Sequence, residues 1–556
     1  MRRIAVITLG TLEIKMDIAE ISSNGKTFIL TDEYREPTKI IEDFEQDTPI
    51  LKTRLNEIVS TLTNYKTICN SKKVEEVFCF AENNYKNLKN EHSFFEQINS
   101  KIGYRFLILS DKEYIDYMYT AVVSSMNTTK GLFVHICENR TYLVQYNRRV
   151  ILNQLIIPFG YANNLGKLRD FTSNERYEYI EKEIKNTLFS VENKKWINEL
   201  TPDTTLVLQG DVFKNISKLI RKQIRYPFDK DQNFATNKQD LLTVCDTLQD
   251  IPFDDSKKLK GTTYRADAMS VASLITKAII NNLQFLNIQD KLTEKEEKNP
   301  LLEDDNYLND EDDENIIEEI ANDEEQEKES SILVCEYGLT SGLLFKTVLS
   351  NSNSPYKPNE VLEFSLSAIN NYYNETSNSE YVCKLSGIIF KQLKVLHRLN
   401  RNYLTILKIA SSLYDSGARI NPKEIDKYSY YTAINSPIFG VGHREILLAG
   451  FVLMSQNNDN FLLTEWAKYR PIIIREGEDE LEVKLACQRL AVILKLARAF
   501  DRYSNSRITD ITCDNLGKCV IMKTTMSVPS TLEIREAKKI DNEFRKVFNN
   551  KKIEIL

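Results

Sequence analysis

Residues 104–144 read YRFLILSDKEYIDYMYTAVVSSMNTTKGLFVHICENRTYLV, and the order of patterns in that stretch decides the fold class. The apolar run 106–109 predicts a strand, Ser110-Asp111 a loop, and 112–126 a helix. A polar turn at 127–131 then leads to a strand at 132–136, a tight turn at 137–140 and a third strand at 142–146. Strand, helix, then hairpin is an α/β pattern, and the turns at strand ends are where such folds place their chemistry.

The chain is 556 residues long, enough for three or four domains, and its 42% hydrophobic content suits sizeable cores. No apolar run approaches the ~18 residues of a membrane span. The opening MRRIAVITLG is too short an apolar run for a signal peptide and passes straight into strand-like alternation, so a cytoplasmic protein is expected. Nine cysteines lie scattered without a CxxC pair, as reduced core thiols do. The four histidines, His92, His135, His397 and His443, have no helical metal-ligand spacing, so no metal ligands are assigned.

Net charge is −7 but unevenly spread. Residues 301–330 carry fifteen acidic side chains and one lysine, a net −14, which leaves +7 for the rest. The remainder is mildly basic, as a protein that binds a polyanion would be. Residues 291–330 read as a disordered acidic insert, too charged to pack.

Elsewhere, alternation around Leu9-Gly10-Thr11 predicts two strands joined by a tight turn. Residues 40–63 suit a long helix, 74–80 a strand, 168–189 helix, and 205–211 (TLVLQGD) a strand running into a turn. From 361 to 503 apolar residues recur every three or four positions, so that region is helical. Residues 508–556 alternate strand-like stretches with one helix at 530–549.

The opening stretch resembles the centre of the exopolyphosphatase / guanosine pentaphosphate phosphohydrolase (Ppx/GppA) family. That family writes its strand–loop–helix as Leu-Ser-Gly-x-Glu-Glu-Ala-Arg-Leu-Ile-Tyr and its hairpin as Asp-Ile-Gly-Gly-Gly-Ser-Thr-Glu-Leu-Val. Here the same places read LSDKEYIDYMY and HICENRTYLV. Other landmarks follow in order. Gly10 and Thr11 stand in the family's Asp-Leu-Gly-Ser-Asn-Ser phosphate hairpin, with Glu13 at the last Ser. Lys86 takes the place of an Arg, and Pro158-Phe159-Gly160 matches Pro-x-Gly. Gly210-Asp211 is what remains of a Gly-Gly-Thr phosphate turn. Arg265-Ala266-Asp267 is kept, and Gly338, Leu339 and Gly342 hold with Thr340 and Ser341 between them. In the helical region, Asp415 remains while Tyr414, Asp426 and Tyr428 occupy the positions of metal-binding histidines, so no metal chemistry is assigned there.

The resemblance implies a multi-domain α/β plus α architecture. Its parts are an actin-like (ribonuclease H-like) α/β domain at 1–130 and a second at 131–345 holding the insert at about 291–330. An HD-like helical domain at 360–505 and a small α+β domain at 506–556 follow. It also implies Mg²⁺-assisted release of terminal phosphate from polyphosphate or guanosine pentaphosphate, and a possible homodimer; no membrane or sequence-specific nucleic acid partner is implied. The family's presumed water-activating carboxylate falls on Tyr114, and a phenol is a poor base near neutrality. Glu113 is retained beside it, turned by about 100° on a helix. His135 stands for the family Asp, Cys137-Glu138-Asn139 for its three glycines, Arg140 for Ser and Tyr142 for Glu.

Two readings follow. In the first, the chain is a catalytically impaired member that binds a polyanion, regulates or scaffolds. In the second, it is a divergent phosphohydrolase whose catalytic residues are Glu113 and His135, with Gly10, Thr11, Lys86, Arg140 and Gly210 binding phosphate. A phosphate-sized space ringed by Glu113, His135, Lys86 and Arg140 favours the enzyme. A cleft filled by Tyr114 and Tyr142 favours the impaired member.

Overall fold

The computed structural model describes residues 2–556 except 24, 26, 39, 41–48, 254–258, 260–265, 287–331, 351–360, 374–377 and 457–462. The acidic insert and Arg265 therefore lie outside the described residues.

Two mixed sheets of one topology form the first two-thirds of the chain. The first runs β3 (Phe28–Pro37), β2 (Glu13–Ile21), β1 (Arg2–Leu9), β4 (Glu76–Ala81), β5 (Phe106–Ile108). Its first three strands are antiparallel, and β4 and β5 are parallel to β1. The second sheet repeats this plan with β8 (Val150–Ile157), β7 (Thr141–Asn147), β6 (Lys130–Ile136), β9 (Thr205–Gln209) and β11 (Ile332–Cys335). The short β10 (Ala235–Thr236) adds an antiparallel edge. A duplicated antiparallel hairpin followed by parallel strands is the actin-like α/β arrangement the sequence led us to expect.

Strand β1 is apolar from Ile4 to Ile7 because both of its faces are covered there. Ile4 and Val6 enter one core, and Ala5, Ile7 and Leu9 another. Strand β6 divides likewise, with Leu132, Val134 and Ile136 on one side and Phe133 on the other. Period-two side chains on a doubly covered sheet give this pattern.

The helix expected at 40–63 is described from Lys52 to Ser71, running eight residues past the expected end. Leu55, Ile58, Leu62, Tyr65 and Cys69 keep helical spacing beyond that limit and bury one face. The edge strand β3 is a strand that the sequence reading did not anticipate, since its charged run DEYRE has only one half-covered face.

Helices from Val361–Tyr373 to Glu480–Ala499 pack around Leu385, Ile389, Leu447, Phe451, Leu490 and Leu494. The terminal strands β12 (Ile508–Leu516), β13 (Cys519–Met526) and β14 (Lys552–Ile555) form a small sheet whose Ile511, Met522 and Ile553 join that same core. The single helix expected at 530–549 is instead two, Thr531–Lys538 and Asp541–Val547. The break lets Ala537, Ile540 and Phe544 all reach the core, while Asp541 accepts from the Ile553 amide. Among the described residues no helix is long and apolar enough to cross a membrane.

Candidate functional site

The two sheets face each other through their equivalent hairpin turns. In the β1–β2 turn, Gly10 N–H donates to the Glu13 carbonyl at 3.0 Å and leaves the next two amides pointing outward. These are the groups that could cradle a phosphate oxygen. Glu138, on the β6–β7 turn, occupies them. Its Oε2 accepts from Thr11 N at 3.0 Å and from the Thr11 hydroxyl, and its Oε1 accepts from Leu12 N at 3.0 Å. Thr11 and Glu138 are both buried.

The turn that delivers Glu138 is itself pinned. Cys137 N donates to Arg140 O at 2.9 Å, and Ala162 N donates to Glu138 O at 2.8 Å. Gly160 packs so closely on it that a Cβ would come within 2.4 Å of the Cys137 and Glu138 carbonyls. The Pro-x-Gly signature is thus explained by close approach of two backbones.

A second carboxylate, Glu82, faces the same turn. A Cβ on Gly10 would lie 3.5 Å from Glu82 Oε1 and 3.6 Å from Glu138 Oε1. Burial pushes both carboxyls up, and their proximity adds to the effect on Glu82. For Glu138 the three donors oppose that rise. Glu13 is pushed up to about 7, chiefly by burial, with Arg35 opposing and Asp211 and Glu138 adding.

The second contact between the sheets lies at the end of β9. Gly210 has φ +100°, a conformation favouring glycine, and a Cβ there would sit 2.6 Å from His135 Nδ1. Asp211 then opens the helix Asp211–Gln223. Its carboxylate takes two hydrogen bonds from Arg35 of β3, at 2.8 and 3.1 Å. Burial pushes Asp211 upward, but Lys15 and Arg35 outweigh it and hold the group well below the usual carboxylate range.

Between these contacts the cleft is filled with aromatic rings. Tyr114 stacks on Tyr142 with centroids 5.2 Å apart. Its hydroxyl lies 3.1 Å from His135 Nε2, while His135 Nδ1 lies 3.0 Å from the Gln209 carbonyl. A carbonyl can only accept, so the proton sits on Nδ1 and Nε2 accepts from Tyr114. Burial pulls His135 down to about 4, leaving it neutral near pH 7. Tyr114 and Tyr142 are buried and pushed well above the phenol range, mainly by desolvation.

The sequence-predicted residues divide into two groups. Gly10, Thr11, His135, Arg140 and Gly210 lie along the cleft. Arg140 is committed to an ion pair with Asp111, which also accepts from Tyr142 at 3.3 Å. Glu113 and Lys86 lie outside it, both exposed. Glu113 closes a capping box: it accepts from Ser110 N at 2.8 Å and from Ser110 Oγ at 2.6 Å. Those hydrogen bonds hold its pKa below the ordinary value. Lys86 sits in the short turn Asn83–Asn87.

Sequence reasoning missed Glu82, Arg35 and Asp111. It saw Glu138 only as a replacement for a family glycine, whereas the carboxylate is a ligand for the opposite turn. The S-x-x-E spacing at Ser110 and Glu113 was the available signal for a cap.

A family profile described as the Ppx/GppA phosphatase family matches residues 18–293. Among solved structures, a Ppx/GppA family member from Aquifex aeolicus is 18% identical, covers 64% of this chain and 99% of its own, and gives a TM-score of 0.47. An exopolyphosphatase from Cytophaga hutchinsonii is 14% identical, with 63% and 99% covered and a TM-score of 0.50. At 14% identity this second likeness is one of fold. A search of curated protein sequences finds no match.

Proposed function

Because residues 18–293 belong to the Ppx/GppA phosphatase family, we propose that this chain is a catalytically impaired member that acts as a polyanion-binding, regulatory or scaffold protein. The observation that carries the reading is the seat of Glu138. Its carboxylate takes the Thr11 and Leu12 amides, at 3.0 Å each, that a phosphate would need.

Phosphoryl hydrolysis needs an activating carboxylate, donors for the transferred group and a cation against the developing charge. Each is otherwise engaged here. Glu113 caps a helix, Tyr114 and Tyr142 fill the space of a substrate, and Arg140 and Arg35 are neutralised by Asp111 and Asp211. The residues present do not suit Mg²⁺ either. Among the described residues no group of three or more His, Cys, Asp or Glu is placed to hold a metal ion, and both Glu138 oxygens already accept from the opposite turn. No step is therefore routed through a metal.

We read the helices from Val361 to Ala499 as the family's HD-like domain, devoted here to packing. Asp426, at a former histidine position, faces Arg498 at 3.4 Å, and Arg498 lies 4.9 Å from the Tyr414 ring.

A second reading, an active divergent phosphohydrolase, draws on one observation. Glu13, poised at about 7 beside the cleft, has the proton affinity of a general base. The test is orthophosphate release from long-chain polyphosphate with Mg²⁺, in wild type, Glu113→Ala and Glu13→Gln. No release, with salt-sensitive polyphosphate binding, is expected. Release that either substitution abolishes would overturn the impaired reading and name the base.

A further inference from the structure

The carboxyl end of β11 meets the helical region, and a cavity of about 520 Å³ opens between them. Residues 227–232, Glu336 and Tyr337 form one wall, and residues 434–438 with Lys468 and Tyr469 form the other. Open α/β sheets receive ligands outside the carboxyl ends of their strands. The two hairpin turns at that end are engaged with each other, whereas this space is open.

Its charges are unbalanced. Three carboxylates line it, and two cations outside the lining, Arg221 and Lys214, pair with them. Asp229 and Asp231 share Arg221, at 3.2 and 2.6 Å, and Glu336 lies 3.4 Å from Lys214. Lys230 has no ion-pair partner among the described residues. Its stem is partly exposed, but its ammonium turns into the joint, donates to the Ser436 carbonyl at 2.6 Å and lies 5.6 Å from the Phe228 ring. Protein replaces water around it, and this desolvation, opposed by Glu336, pulls it down to about 8. A desolvated charge without a counter-ion is costly, and an arriving anion relieves that cost.

We propose that this cavity is a binding site for a small anion bearing a phosphate or carboxylate group, held by the Lys230 ammonium. The exposed Lys468 stands at its mouth, and Tyr337 and Tyr469 wall it. The site is separate from the Thr11–Glu138 contact, so it stands whether or not the chain hydrolyses phosphate.

The titratable groups around Lys230 are Asp229, Asp231, Glu336, Tyr337, Lys468 and Tyr469, which line the same cavity, and His443, which the Lys230 charge pushes further down. A bound anion stabilises the ammonium, so binding weakens as pH rises through about 8 and the ammonium discharges.

The test is lysine acylation by acetic anhydride at pH 8 on the full chain, read by mass spectrometry, with inorganic pyrophosphate or citrate as probe. Saturable protection of Lys230 of about tenfold is expected, because a close opposite charge raises a lysine by a unit or more. Protection by pyrophosphate alone assigns a phosphate group, and protection by citrate alone assigns a carboxylate. Calorimetry supplies the second arm: Lys230→Gln loses the binding heat and Lys230→Arg keeps it. Protection by neither probe, or unchanged heat in Lys230→Gln, would overturn the proposal.

Discussion

The Arg35 guanidinium grips the Asp211 carboxylate with two hydrogen bonds, Nη1 to Oδ2 at 2.8 Å and Nη2 to Oδ1 at 3.1 Å. Edge strand β3 of the first sheet is thereby tied to the first residue of the helix after β9 in the second. The pair is 23% and 27% exposed, so it is only partly screened. Removing one partner leaves the other charge uncompensated. Arg35→Ala is therefore expected to lower stability in urea by about 2 kcal/mol, between the surface and fully buried limits. The double variant Arg35→Ala/Asp211→Ala should lose less than the sum. Asp211 is depressed in the fold, so its contribution is present above the unfolded aspartate value, about 3.9, and disappears as pH falls below it. Denaturation curves of wild type and Arg35→Ala should converge below about pH 4.

Glu13 shares the Arg35 contact but has the opposite pH behaviour. Its carboxyl is raised to about 7 in the fold. A raised acid favours the fold while protonated. Its contribution is complete below the unfolded value, about 4.3, and is lost as pH rises through the folded value. Glu13→Gln removes that loss. With 39% of the side chain exposed, screening reduces the effect, and the variant should gain about 1 kcal/mol on wild type between pH 4.5 and 8. Parallel stability curves across that range would mean that Glu13 is not raised.

Gly210 carries two constraints at once. Its φ of +100° is unfavourable for a side chain, and a Cβ would run into the His135 ring at 2.6 Å. Gly210→Ala should cost about 3 kcal/mol, from backbone strain and overpacking together. Adding His135→Ala removes the clash but leaves the strain, so the background cost of Gly210→Ala should fall only in part. Complete rescue in a double-mutant cycle would show that the backbone tolerates alanine.

The framework was legible in the sequence because glycines and apolar periods record backbone approach and burial. Gly160, Gly210 and the alternation of β1 and β6 kept their meaning as their neighbours changed. The site was less legible, because its contacts join residues far apart in the chain. Thr11 and Glu138 are 127 positions apart, and Arg35 and Asp211 are 176 apart. A carboxylate read against an absent phosphate is repulsive, but read against the opposite turn it is a ligand. Arg35 sits in a charged run, Asp32-Glu33-Tyr34-Arg35-Glu36, that carries no local sign of its distant partner.

Tyr114 holds the position at which the resembled family places its carboxylate base, and Tyr114→Glu tests whether that one change restores hydrolysis. It should not. The new carboxyl would lie in the apolar space now shared with Tyr142 and His135, and burial would push it upward. The Thr11 and Leu12 amides would still be held by Glu138. Glu138→Gly is the change that frees them. Hydrogen exchange localises the effect: residues 10–12 are protected in wild type, exchange faster in Glu138→Gly, and regain protection when pyrophosphate is added. Exchange at these residues is independent of the Lys230 cavity, so the two anion sites are read separately. Phosphate release is expected only when Tyr114→Glu and Glu138→Gly are combined. Release from Tyr114→Glu alone would mean that Glu138 leaves the turn readily and that the cleft opens without help.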